Sequence, residues 1–208
     1  MSAFDESYFN TGNYSNYLER EDRYVRLAKD VVGLYGSINL IHPDDSILDY
    51  GCATGFLLNG MHQQGFVKTY AYDISKWDVS KISPEHEIIN LNKRNIFDHC
   101  FCLDVLEHMT DEDIISVFTN FITSSILTVR IPVSLDGKQF YLSQSRLDKT
   151  HINCKKKQEW IYFLGSLGYE LLFTLNLSQI YDSSGVFCAT FRRKHDGLEN
   201  SIYSLSEN

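Results

Sequence analysis

Three kinds of residue are scarce in this 208-residue chain, and each scarcity excludes a class of protein. Prolines number 3, too few for a collagenous or proline-rich extended chain. Cysteines number 5, at positions 52, 100, 102, 154 and 188. An odd count without a spaced framework speaks against a disulfide-stapled secreted domain and for a reducing compartment. Basic residues are outnumbered, 19 Lys plus Arg against 27 Asp plus Glu. The resulting net charge of -8 would repel a phosphate backbone, so nucleic acid is not expected as a partner. No apolar run approaches the about 18 residues that span a bilayer, and Met1 to Asn10 lacks the basic-then-apolar order of a secretory signal. Neither a membrane partner nor export is expected, and a cytoplasmic location follows by default. Cys100 and Cys102 alternate within one strand-like run, but no second Cys or His pair at ligand spacing accompanies them, so no metal is expected.

What is present is the material of a folded core. A composition of 43% hydrophobic and 22% charged residues is that of a globular protein. A chain of this length buries roughly 70% of its unfolded surface and needs no staple. One domain with an appended element is expected: a leader and cover helix over 1–38, a main domain over 39–195 and a loose polar tail over 196–208. Tyr24, Leu27, Ala28, Val31 and Tyr35 recur at helical spacing, which predicts an amphipathic helix over 17–36 closed by Gly36. The leader before it is rich in aromatics, Tyr8, Phe9, Tyr14 and Tyr17, and is expected to dock, with Tyr14 and Tyr17 as a lid.

From there strands and helices alternate. Ser46 to Tyr50 reads as a buried strand ending at Gly51. A helix carrying Phe56, Leu57, Leu58 and Met61 follows, and a strand over 67–72 ends at Asp73. A weak strand over 88–91, a firmer one over 98–105, a helix from Asp111 and a β-branched strand over 125–133 continue the pattern. A long irregular stretch, 134–153, leads to a helix around Trp160 and two closing strands over 169–177 and 186–193. Strand-helix alternation predicts an α/β, Rossmann-like doubly wound sheet, mostly parallel and seven-stranded, with an antiparallel C-terminal hairpin and an N-terminal helical cover.

In such a sheet ligands bind beyond the carboxyl ends of the strands, where the strand order reverses. Asp49-Tyr50-Gly51-Cys52-Ala53-Thr54-Gly55 puts two glycines around a strand-to-helix turn, and Asp73 stands at the next strand end, where a carboxylate can hold both ribose hydroxyls. An adenosine-containing cofactor is the natural reading. The turn lacks the third glycine of a dinucleotide site and the Lys of an ATP-cradling loop, and Asp49 would repel phosphates. It suits a ligand bearing cationic ammonium and sulfonium groups, which describes S-adenosyl-L-methionine.

On these residues the chain resembles class I S-adenosylmethionine-dependent methyltransferases of the small-molecule branch. Ile47 to Gly55 is similar to their first motif, Ala71 to Ser75 to their second, and Phe97 to Met109 to their strand-four block. The stretch Asp148 to Asn153 with Glu159-Trp160 is similar to bacterial members associated with glycan and polysaccharide pathways. The resemblance implies that Gly51, Cys52, Ala53 and Gly55 line the methionine portion and that Asp49 orders the loop or meets the amino group. It implies further that Asp73 holds the ribose, that Ile74 packs on adenine, and that Leu103 and Asp104 lie beside the transferable methyl. Glycine is usual where Ala53 stands. The short interval from Asp73 to Asp98 leaves little room for a helix, and Asn90 or Asn92 stands in for the acidic partner of the adenine amine.

His151, after the long loop, is a candidate general base, with a capping role as the plainer reading. His108, Arg130, Tyr141 and Asp148 are candidate substrate residues. The expected activity is methyl transfer to an oxygen or nitrogen of a small-molecule acceptor, with a sugar or sugar-linked metabolite preferred. The rival is a non-catalytic partner subunit of the same fold, and a weaker third reading is a nicotinamide-dependent oxidoreductase.

Overall fold

The structure, a computed structural model, describes residues 4, 8, 16–177 and 185–194. Phe9 and Tyr14 of the leader and the tail expected after His195 lie outside the described residues. A 3-10 turn at Tyr17–Glu19 precedes helix α1 (Glu21–Ser37). The helix expected to run unbroken from 17 is interrupted at Arg20, whose guanidinium donates to the Asn16 side chain at 2.6 and 3.1 Å. The remaining elements are β1 (Ile47–Tyr50), α2 (Phe56–Gln63), β2 (Thr69–Tyr72), α3 (Lys76–Val79), β3 (Glu87–Ile88), β4 (Asn95–Leu103), α4 (Asp111–Ser116), β5 (Ile122–Pro132), α5 (Ser143–Leu147), α6 (Lys157–Ser166), β6 (Tyr169–Thr174) and β7 (Val186–Arg193).

The strands form one 7-stranded sheet in the order β3-β2-β1-β4-β5-β7-β6. β1 to β5 pair in parallel, and β7 runs antiparallel between β5 and β6. The fold is the Rossmann-like α/β sheet read from the alternation of strands and helices, with the antiparallel closing pair at the β6 edge. No described helix is long and apolar enough to cross a membrane.

The differences from expectation are local and have local causes. The strand read over 88–91 shrinks to the two exposed residues of β3, an edge with a single neighbour. β4 starts three residues early, because Asn95, Ile96 and Phe97 already pair with Ile122, Thr123 and Ser124. One helical turn, α3, does fit after Asp73; the Ser75 hydroxyl caps it by accepting from the Asp78 amide at 3.3 Å. α4 widens into a π-turn over Val117–Phe121 before β5 begins, and the stretch after β5 holds the short α5.

Alternation along the central strands sends side chains to two cores. Leu48, Cys100, Cys102, Leu127 and Val129 point to one face and pack under Trp160 and Leu164 of α6 and Ile114 of α4. Ile47, Ala71 and Phe101 point to the other and meet Leu27, Val31 and Tyr35 of α1 with Leu57, Leu58 and Met61 of α2. α1 and α2 cross closely at Gly60, where an added Cβ would stand 2.6 Å from that of Ala28. The Tyr35 hydroxyl reaches the sheet itself, bonding Thr128 at 2.7 Å and Thr190 at 2.5 Å in full burial. The strand order reverses between β1 and β4, so the crevice of the fold opens above the ends of those two strands.

Candidate cofactor and acceptor site

A cavity of about 430 Å³ occupies that crevice. Its floor is the β1-to-α2 turn, whose backbone is left-handed at Gly51 (φ 78) and Ala53 (φ 46). Gly51 is required twice over: by its φ, and because an added Cβ would lie 2.3 and 2.9 Å from the two methyls of Val105 at the end of β4. Gly55 is the N-cap of α2 and stays outside the cavity lining. The turn is pinned from the side by Asp73, which accepts from the Ala53 amide and the Ser75 amide, each at 2.8 Å.

Carboxyl groups gather at this floor. Asp49 is 5% exposed, and burial together with the neighbouring Asp73 pushes its carboxyl up to about 8. Asp73 is raised by burial and pulled back by its backbone amide bonds. Asp78, on α3 close to Asp73 but outside the cavity lining, is buried and is pushed by burial up to about 7. Carboxyls held this far from their ordinary range gain by the arrival of a cation and would lose by the arrival of a phosphate. The residues present therefore fit a ligand with cationic ammonium and sulfonium groups. Ile74, 67% exposed, and Leu91 offer apolar surface near Asp73 for a flat ring.

The wall facing the turn comes from the N-terminus. Tyr17 is buried, stacks on Phe56 with ring centroids 5.4 Å apart and lines the cavity with Arg20 and Tyr24. Phe4 meets His108 edge-on at 5.2 Å, and the Tyr8 hydroxyl donates to Asp148 at 3.0 Å.

At the β4 end, Leu103 and Asp104 line the cavity as expected from the motif. Asp104 is a left-handed non-glycine residue (φ 59), held there by a bond from its amide to the Arg130 carbonyl at 2.7 Å and by Nη1 of Arg130, which donates to both of its carboxylate oxygens. Arg130, 1% exposed, therefore does not face the cavity; it is spent on positioning Asp104. Beyond lie His108 and Met109 on the cavity wall. Behind them stand Glu107, fully buried, and His151, whose ring packs 4.6 Å from that of His108 and 5.3 Å from Phe140. Burial lowers His151, and burial with His151 lowers His108 to about 4, so both imidazoles are neutral at pH 7. Asp148 is held below the ordinary carboxylate range, its burial outweighed by hydrogen bonds from the Thr150 hydroxyl and amide and from Tyr8.

The structure thus brings Asp49, Gly51, Cys52, Ala53, Asp73, Ile74, Leu103, Asp104 and His108 to one cavity. It does not bring the others there. Leu91 rather than Asn90 lines the wall, because the two-residue β3 ends before Asn90 and the chain turns. Tyr141 is 49% exposed and packs against Gly185 beyond the carboxyl end of β5, at the cavity edge of the sheet but outside the cavity lining. Asp148 and His151 sit one layer back. Arg20 and Tyr24 on the wall had no signal as site residues, because each reaches the site through a contact distant in the chain, whereas Val105 and Met109 belong to the strand-four block.

Fold and site together define a class I S-adenosylmethionine-binding methyltransferase domain, and comparison with known proteins agrees. A methyltransferase-domain family profile matches residues 19–128, more than half of the chain, and the chain belongs to that family. A search of curated proteins finds no match. Among solved structures, the chain is similar to magnesium protoporphyrin IX methyltransferase ChlM from Synechocystis PCC 6803 with bound S-adenosylhomocysteine, at 19% identity and a TM-score of 0.59, covering 90% of this chain and 92% of that one. It is similar to a 1,6-didemethyltoxoflavin N1-methyltransferase from Burkholderia thailandensis at 12% identity and a TM-score of 0.63, covering 91% and 86%. It is also similar to the [4+2]-cyclase SpnF at 15% identity and a TM-score of 0.60, covering 82% and 81%. Its cofactor is S-adenosylmethionine.

Proposed function

We propose that this protein transfers the methyl group of S-adenosylmethionine to an oxygen or nitrogen of a small-molecule acceptor. The observation that carries the reading is the pairing of an acidic, left-handed turn with a second, histidine-bearing end of the same cavity. Asp49 and Asp73 would hold the ammonium and ribose ends of the cofactor, Cys52 and Ala53 its methionine portion, and Ile74 with Leu91 its adenine. The cofactor supplies a methyl group already activated by the sulfonium. The protein's part is alignment and exclusion of water, with Tyr17 and Phe4 forming the apolar wall. For a hydroxyl nucleophile the His108, His151 and Asp148 cluster takes up the proton. A sugar or sugar-linked acceptor is preferred for the polar cluster at that end. Net negative charge supports a small-molecule acceptor over nucleic acid.

The test is calorimetric titration with S-adenosylmethionine and S-adenosylhomocysteine, followed by an acceptor screen read as S-adenosylhomocysteine formation. Asp73→Ala should weaken binding about 10- to 150-fold, the range for hydrogen bonds to a charged group. A folded wild type that binds neither ligand would sink the reading. Binding without turnover on any acceptor would favour the non-catalytic partner subunit.

A further inference from the structure

We propose that Glu107, His108 and His151 form a binding site for one divalent transition-metal cation at the acceptor end of the cavity. The donor atoms of the three residues all lie within 4.8 Å of one another. The Glu107 Oε1 stands 4.0 Å from Nε2 of His108 and 4.0 Å from Nε2 of His151. Ligand atoms on a tetrahedral zinc-sized ion are roughly 3.4 Å apart, so closing the set takes movements of an ångström or so.

Two observations favour a cation here. The Glu107 carboxylate is fully buried, and neither oxygen has a hydrogen-bond partner. Its backbone carbonyl is clamped by the amides of Ile152 and Asn153, both at 2.9 Å, so the residue is fixed in place. The His151 side chain is 7% exposed; its Nε2 stands 3.6 Å from Oδ2 of Asp148, and neither ring nitrogen has a hydrogen bond of normal geometry. A buried carboxylate with no partner, beside one imidazole with no bond at either nitrogen and a second bonded only through Nδ1, is costly until something cationic joins them.

The hydrogen-bond chain behind His108 fixes which of its nitrogens is free. The Thr150 hydroxyl donates its only proton to Asp148 Oδ1 at 2.5 Å. It must therefore accept from His108 Nδ1–H, 2.9 Å away. The proton of the neutral ring is on Nδ1, and the lone pair is on Nε2, the nitrogen 4.0 Å from Glu107 Oε1. A carboxylate orienting a histidine through its far nitrogen is the outer-shell arrangement of metal-ligating imidazoles. Two imidazoles and one carboxylate select zinc, manganese, cobalt or iron(II) over magnesium and calcium, which prefer all-oxygen sites.

His108 lines the cavity with Glu107 and His151 behind it, so such an ion would sit in the wall at the acceptor end. Resting on the methyltransferase reading, this names the acceptor class: a molecule presenting a hydroxyl or carboxyl oxygen that can ligate a divalent cation. With the imidazoles committed to the ion in place of proton uptake, the acceptor's proton would pass to solvent, its oxygen lone pair would form the bond to the methyl carbon, and the carbon–sulfur bond would break to leave neutral S-adenosylhomocysteine.

The experiment titrates chelator-treated full-length protein with Co²⁺, read by visible absorption, and with Zn²⁺, read by calorimetry and by the thermal midpoint. We expect about one equivalent bound, with affinity lowered about 10- to 100-fold or more in Glu107→Gln and in His151→Ala and unchanged in the exposed His62→Ala. Zinc should raise the melting midpoint of wild type and leave that of the two variants unmoved. No binding to folded wild type, or equal binding in all proteins, overturns the site. S-adenosylmethionine titrations on the same samples separate the two readings: cofactor binding without metal overturns only this proposal, and metal binding without cofactor overturns only the methyltransferase reading.

Discussion

Replacing Gly51 by alanine tests the geometry on which the cofactor floor depends. Two costs add. The backbone at φ 78 is left-handed, which costs a residue with a Cβ about 1–2 kcal/mol. The new methyl would also meet Val105 at 2.3 and 2.9 Å, an overpacking that costs about 1–3 kcal/mol in well-packed interiors. Gly51→Ala should therefore destabilise the fold by about 2–5 kcal/mol, or about 4–20 °C in the melting midpoint at the sensitivity of a chain this long. The assay is equilibrium urea unfolding of four proteins: wild type, Gly51→Ala, Val105→Ala and the double variant. In the Val105→Ala background the crowding is gone and only the backbone cost remains, so the same glycine substitution should cost about 1–2 kcal/mol. An equal cost in both backgrounds would refute the close approach to Val105. A cost below about 0.5 kcal/mol in wild type would refute the requirement for glycine altogether.

Two further outcomes follow from charge. Arg130→Met leaves Asp104 without its buried partner and should cost about 3–5 kcal/mol by urea unfolding; a loss under about 1 kcal/mol would mean that the pair does not position Asp104. Because burial and Asp73 push Asp49 up to about 8, it is protonated in the ligand-free protein near neutral pH. Its raised pKa belongs to the folded state, so its contribution to stability is present in acid and is lost as pH rises from the ordinary carboxylate range towards about 8. A cationic ligand restores the carboxylate. Calorimetry at about pH 6.5 in two buffers of different ionisation enthalpy should show about one proton released per S-adenosylmethionine in wild type and none in Asp49→Asn. Heats independent of buffer in wild type would refute the contact.

The fold was legible because its signals are local: strand, turn and helix alternate within short windows, and the sharp turn at Gly51 demands its residue type. The same holds for Asp49 and Asp73, which stand at strand ends. Arg130 was misread as a substrate residue because a loop-flanking arginine invites that reading. Its place inside the β-branched run Thr128 to Ile131 means burial, and a buried guanidinium needs a carboxylate on the neighbouring strand; Leu103 pairs with Arg130, which puts Asp104 beside it. The grouping of Glu107, His108 and His151 was beyond reach, since more than 40 residues separate the two halves and no spacing rule links them. The N-terminal wall was equally illegible: aromatics announce docking but not the partner.

The Tyr35 hydroxyl ties the start of the chain to its end. Its partner Thr190 lies 155 residues further on, in a strand inserted between two others. Helix α1 therefore cannot complete its seat until β7 has taken its place in the sheet, and contacts so far apart in sequence slow folding. At synthesis rates of about 5–20 residues per second, the tyrosine waits about 8–30 s for the threonine to be made. Over that interval the apolar face of the helix, with Leu27, Val31 and Tyr35, has only part of its final cover, so the nascent chain rather than the finished protein is where this fold is most exposed to aggregation.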